Sequence, residues 1–211
     1  MRKDDVITKV VFFLGGIFMV STGINLLIAA GLGADPWSVF HVGLTHHLPL
    51  TLGQVVQGVG ITMIFVGWAL KVTPTLGTFA NMYLFGLCID FIDKLGVIKL
   101  PKNTFQAWIY LIAGIVIYGI GNGVYLNGKL GSGPRDSLLL GLTRATGKSV
   151  SIVKTIMEIL AVSIGWLLGG KVGIGSLLFA VSIGPVMQWS ISTITLPKSK
   201  ESLLDESTSE V

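Results

Sequence analysis

Cysteine is almost missing from this chain: Cys88 is the only one in 211 residues. A disulfide framework and a cysteine-based zinc site are thereby excluded. Charge is scarce as well, since Asp, Glu, Lys and Arg make up 12% of the sequence, about half the share of a soluble domain. Histidine occurs three times, as His41, His46 and His47. Their spacing does not put all three on one helix face, and no acidic group beyond Asp35 accompanies them, so solvated interface residues are expected rather than a metal site. No phosphate-binding Gly-Lys-Ser/Thr pattern follows a strand-like run, which removes the nucleotide-loop classes. No cofactor and no catalytic constellation is expected, so the chain does not read as an enzyme.

Apolar residues fill the space that charge leaves. The hydrophobic share is 51%, glycine contributes 28 residues and mean hydropathy is +0.77, the balance of an integral membrane protein. Apolar runs near 10–30, 52–70, 73–92, 106–127, 150–170 and 173–196 are each long enough to cross a hydrocarbon core of about 30 Å as a helix. The expected fold class is all-α, with six transmembrane helices and the lipid bilayer as the first partner. The net charge of +4 does not indicate nucleic acid, because the basic residues are dispersed over short loops, where they set orientation.

One stretch occurs twice. LGADPWSVFHVGL, Leu32 to Leu44, returns as LGSGPRDSLLLGL, Leu130 to Leu142, at an offset of 98 residues. In the same register Gly16, Gly23, Gly67, Trp68, Gly77 and Gly86 return as Gly114, Gly121, Gly165, Trp166, Gly175 and Gly184. Matching glycine, proline and tryptophan in one register is a stronger signal of duplication than matching leucine. The chain therefore reads as a start at 1–9, a three-span repeat at 10–95, a connector at 96–107, a second three-span repeat at 108–196 and a disordered polar tail at 197–211. After its first span each repeat carries a short hinge helix, the first opened by Asp35 as N-cap and Pro36 at the first helical position.

Three spans per repeat is an odd number, so the second repeat is expected to be inverted. With the N-terminus in the cytoplasm, the inside carries ten Lys and Arg and the outside four, in line with the positive-inside rule and with both termini cytoplasmic. The first hinge, Gly31 to Thr51, has no Lys or Arg, whereas the second has Lys129, Arg135, Arg144 and Lys148. The hinge helices either dip into the membrane as broken elements or lie flat at its interfaces.

Inverted repeats are a recurring transporter architecture, with a substrate site near the midplane. The residues singled out for such a site are Glu158 and Lys154, spaced i, i+4 in the fifth span; the hinge residues Asp35, Arg135 and Asp136; and the intramembrane amides Asn25, Asn122, Gln57 and Asn81. Each also has a structural reading: a local ion pair for Lys154–Glu158, a favourable first-turn charge for Asp136, headgroup contact for Arg135, and interhelical hydrogen bonds for the amides. Glycines four apart favour close helix packing and are compatible with a homodimer.

The hinge LGADPW, the later LGSGPRD, the Gly-Trp pair in both halves and GIGSLLFAVSIGP at Gly173 to Pro185 together resemble the YczE/YyaS/YitT group of bacterial multi-pass membrane proteins, most closely the YczE-like branch. The resemblance implies an integral protein of the bacterial cell membrane. It transfers no residue roles to this chain.

Two function classes follow. One is a transporter of a small polar or ionic solute along a route between the repeats. The other is a non-transporting scaffold or accessory protein for a partner enzyme or regulator. Glu158→Gln separates them, because it inactivates the first and is tolerated by the second.

Overall fold

The computed structural model describes residues 3–131 and 133–195, with side chains described from residue 6 onward. The tail and the basic residues Arg2, Lys198 and Lys200 therefore lie outside the described residues. Among the described residues eight helices follow one another: α1 Lys3–Ala30, α2 Pro36–Thr45, α3 Leu52–Ala69, α4 Leu76–Lys94, α5 Thr104–Asn127, α6 Pro134–Thr146, α7 Val150–Leu167 and α8 Ile174–Thr193. Six of them, α1, α3, α4, α5, α7 and α8, are long and apolar enough to cross a bilayer. The short helices α2 and α6 carry the two copies of the repeated motif.

Local chemistry sets the helix ends. Asp35 accepts from the backbone N–H of Ser38 at the start of α2, with Pro36 in the first turn. Thr51 and Gln54 form a reciprocal capping box on α3. Asn103 caps α5 through the N–H of Gln106, which is why α5 begins at Thr104 and the connector is shorter than 96–107. At the other end of the chain, no proline or glycine interrupts residues 3–9, so α1 extends back to Lys3 rather than starting near residue 10. Left-handed backbone recurs at matched positions: Gly31 and Lys129 at φ 67° and 52°, Gly33 and Gly131 at 104° and 142°, Lys71 and Gly169 at 63° and 92°.

The most extensive interface is the crossing of α1 with α5, and glycine makes it possible. A Cβ added at Gly23 would lie 2.8 Å from Tyr118 Cβ and 2.9 Å from the Gly114 carbonyl; one added at Gly121 would lie 2.7 Å from Val20 N and 3.0 Å from the Gly16 carbonyl. Side chains cannot occupy those spaces, so the backbones approach as small residues allow.

Contacts elsewhere come in exchanged pairs. Helix α4 packs on α1 and α8 on α5, while α2 lies against α7 and α6 against α3. In detail, Gly43 of α2 meets Leu168, and Gly141 of α6 meets Leu70; Gly165 meets Phe40 and Val39, and Gly67 meets Leu138 and Ser137. Within each of these two sets, the partners in one contact are the repeat counterparts, 98 residues away, of the partners in the other. The pattern breaks where α3 and α4 pack along each other whereas α7 and α8 scarcely touch, and where α4 meets α6 more closely than α8 meets α2.

Large apolar side chains point outward along the long helices, among them Phe65, Phe91, Ile112, Leu160, Trp166 and Val181. In water so many exposed apolar groups would mark an interaction surface; on helices of this length they mark the lipid-facing wall.

Candidate functional site

A cavity of about 320 Å³ lies inside the bundle, lined from α1 through α8. Its volume falls at the small end of the range for small-molecule sites. Most of the wall is apolar, with Met63, Met82, Phe85, Met157 and Phe179 among the lining residues. The first turns of both short helices enter the same lining, with Asp35, Pro36 and Trp37 from α2 and its cap and Gly133, Pro134, Arg135 and Asp136 from α6 and its cap.

The two ends carry opposite chemistry. Asp35 is 2% exposed; its Oδ2 accepts the Ser38 N–H, whereas its Oδ1 has no hydrogen-bond partner among the described residues. On α6 the Arg135 guanidinium rests over the Trp37 ring, 4.7 Å from its centre, a cation–π contact. Arg135 makes no ion pair among the described residues, although it interacts with the Tyr118 side chain, as does Asn122. Tyr118 also feels the charge of Asp35, so its hydroxyl lies within the field of both acid and base. The Trp37 indole N–H is likewise buried and without a partner among the described residues.

Asp136 is occupied locally, because its Oδ2 accepts the Gly133 N–H, which also donates to the Tyr125 hydroxyl. His41 lies beside Trp37 in α2 and is buried, not solvated as its sequence position suggested. Burial, reinforced by Arg135, lowers its pKa to about 3, so the ring is neutral at physiological pH. His46 and His47, just past the C-terminal end of the same helix, are both exposed.

Of the residues singled out from the sequence, Asp35, Arg135, Asp136, Asn81, Asn122, Lys154 and Glu158 come together in this lining, and Asn25 and Gln57 do not. Asn25 donates to the carbonyls of Ser21 and Ile89, and Gln57 to that of Tyr83; both are interhelical links. Lys154 and Glu158 face each other at 4.0 Å with substantial exposure, and both reach the cavity wall from α7. Asp90 joins α4 to the start of α3 by accepting from the Thr51 hydroxyl and the Gly53 N–H. Sequence reasoning missed Tyr118 and Tyr125. With Asn122 they form an i, i+4, i+7 polar stripe on α5, a signal that was present.

Six apolar spans and a lipid-facing wall define a polytopic membrane protein. The chain belongs to the family described as "Family of unknown function (DUF6198)", which matches residues 7–192. It is similar to the uncharacterized membrane protein YczE of Bacillus subtilis, with 34% identity covering 90% of this chain and 88% of the relative. An uncharacterized protein of Haemophilus influenzae is 33% identical over 86% of this chain and 82% of its own length. YyaS of Bacillus subtilis is 29% identical over 81% and 86%. These relatives support a multi-pass protein of a bacterial membrane. No solved structure matches the chain.

Proposed function

We propose that the protein is a transporter of a small polar or ionic solute, not an enzyme, and that its two halves are inverted three-span repeats enclosing the solute site. The observation that carries this reading is the convergence of both short-helix N-termini, with Asp35 and Arg135, on one internal cavity. Free N–H groups and terminal partial charge at such ends suit them to hold polar groups in a low-dielectric interior. The exchanged packing supports the repeat relation: α2 rests on the second half and α6 on the first. Two short helices each docked on the opposite half offer a ready means of rocking one half against the other around a fixed site.

The test uses Asn122→Cys in a Cys88→Ser background, reconstituted in vesicles. Alternating access predicts that a membrane-impermeant maleimide reacts with the new thiol when applied from either face. Reaction from one face only describes a blind pocket and removes the transport reading.

A further inference from the structure

Between the two copies of the repeated motif, the backbone plan is kept and the charge is not. Asp35 stands where the second copy has Gly133, and Trp37 where it has Arg135. The first hinge thus contributes an acid to the cavity and the second a base, although one scaffold produced both. Neither group is neutralised by the other, for no ion pair joins them among the described residues.

The other charges nearby are already committed. Asp136 caps its own helix through Gly133, Lys154 and Glu158 face each other, and His41 carries no charge at neutral pH. What remains among the described residues is an acid with an unpartnered oxygen, a base held against an indole and beside the Tyr118 hydroxyl, and an indole N–H without an acceptor. A simple anion would leave the Asp35 oxygen without a donor, and a simple cation would leave the Trp37 N–H without an acceptor and meet Arg135. Buried groups left in that condition are costly.

We infer that the cavity takes a zwitterionic solute with an apolar body, its cationic amine directed to Asp35 and its acidic group to Arg135 and the Trp37 N–H, while Met63, Met82, Phe85 and Phe179 receive the apolar part. An apolar α-amino acid is the simplest member of this class. Asp35 Oδ1 and Trp37 Nε1 are shielded from solvent, so binding includes a movement of the α2 end that opens them to the solute. The inference rests on the transport reading above for its setting, but its test is one of binding.

The experiment is a thermal-shift and calorimetric titration of the full-length protein in detergent with L-leucine, L-methionine and L-phenylalanine. The same measurements are made with 3-methylbutylamine and 2-phenylethylamine, which keep only the cation, and with 4-methylpentanoate and 3-phenylpropanoate, which keep only the anion. The expected result is saturable binding of at least one zwitterion, at least about thirtyfold tighter than its single-charge analogues, as expected when a buried charge pair is truncated. Asp35→Asn keeps an N-capping side chain and should lower zwitterion affinity by a similar factor while the amine-free acid is unaffected; Arg135→Lys, which keeps the positive charge, should lose less than Arg135→Gln. Binding of amines or acids as tight as that of the zwitterions overturns the inference, and so does an absence of binding across the panel. Labelling of the Asn122→Cys variant from both faces together with that failure would leave transport standing and remove only the solute class; zwitterion binding with one-sided labelling would do the opposite.

Discussion

Arg135 and Trp37 occupy the same position in the two copies of one motif, and in the folded chain the guanidinium of the first lies 4.7 Å from the ring centre of the second. Residues 98 positions apart in the sequence thus lie face to face with complementary chemistry. Such a contact contributes about 1–2 kcal/mol when partly desolvated, enough to hold the two short helices in register without locking them.

Trp37→Phe tests how that residue is balanced. The substitution weakens the cation–π contact and leaves a small void, each costing about 1 kcal/mol. It also removes a buried donor without a partner, which returns about 1–3 kcal/mol. The melting temperature should therefore stay near the wild-type value, whereas Trp37→Ala should cost about 3–5 kcal/mol. A large loss in the phenylalanine variant would mean that the indole N–H is satisfied in the folded protein.

The α1–α5 crossing predicts strong position dependence among glycines. Gly23→Ala and Gly121→Ala put a methyl group where backbone already stands, and overpacking of this kind costs about 1–3 kcal/mol. Gly58, in the middle of α3 with nothing within 4 Å of an added Cβ, should accept alanine with a gain of about 0.5–1 kcal/mol, since glycine is a poor helix former. Thermal melts of the three variants check the order.

His41 predicts an acid-side loss of stability. Its folded pKa is lowered to about 3 from an ordinary 6.5, so the unfolded chain takes up a proton first as pH falls. The contribution is full above about 6.5 and is lost progressively between there and about 3, at up to about 1.4 kcal/mol per pH unit. His41→Gln should flatten the melting profile across this window relative to wild type. An unchanged slope would show that the imidazole is not buried neutral.

The six spans were legible because lipid imposes long apolar helices, and the recurring motif stands out in the sequence because its glycines and prolines keep one register. Gly23 and Gly121 can be matched at sequence level; that each packs against the other half of the chain cannot, since periodicity says nothing about which helix a face meets. The site was legible in part. Asp35 and Arg135 stand out as charges beside a repeated proline, but the burial of His41 does not, because three histidines in a polar-looking segment resemble a solvated edge until α7 is seen to cover that helix. Asn25 and Gln57 look the same as Asn81 and Asn122, and only the placement of α4 and α5 around the cavity distinguishes linking amides from lining ones.

The measurement that tests the account most directly is the sidedness of the two short helices. His47, just past α2, and Arg144, in the last turn of α6, are both exposed positions, and each is replaced in turn by a single cysteine in a Cys88→Ser background. An impermeant thiol reagent added to intact cells should label one of the two variants and not the other, with the remaining thiol reacting once the membrane is opened. Labelling of both from the same side would contradict the inverted arrangement, and with it the site shared between the two halves.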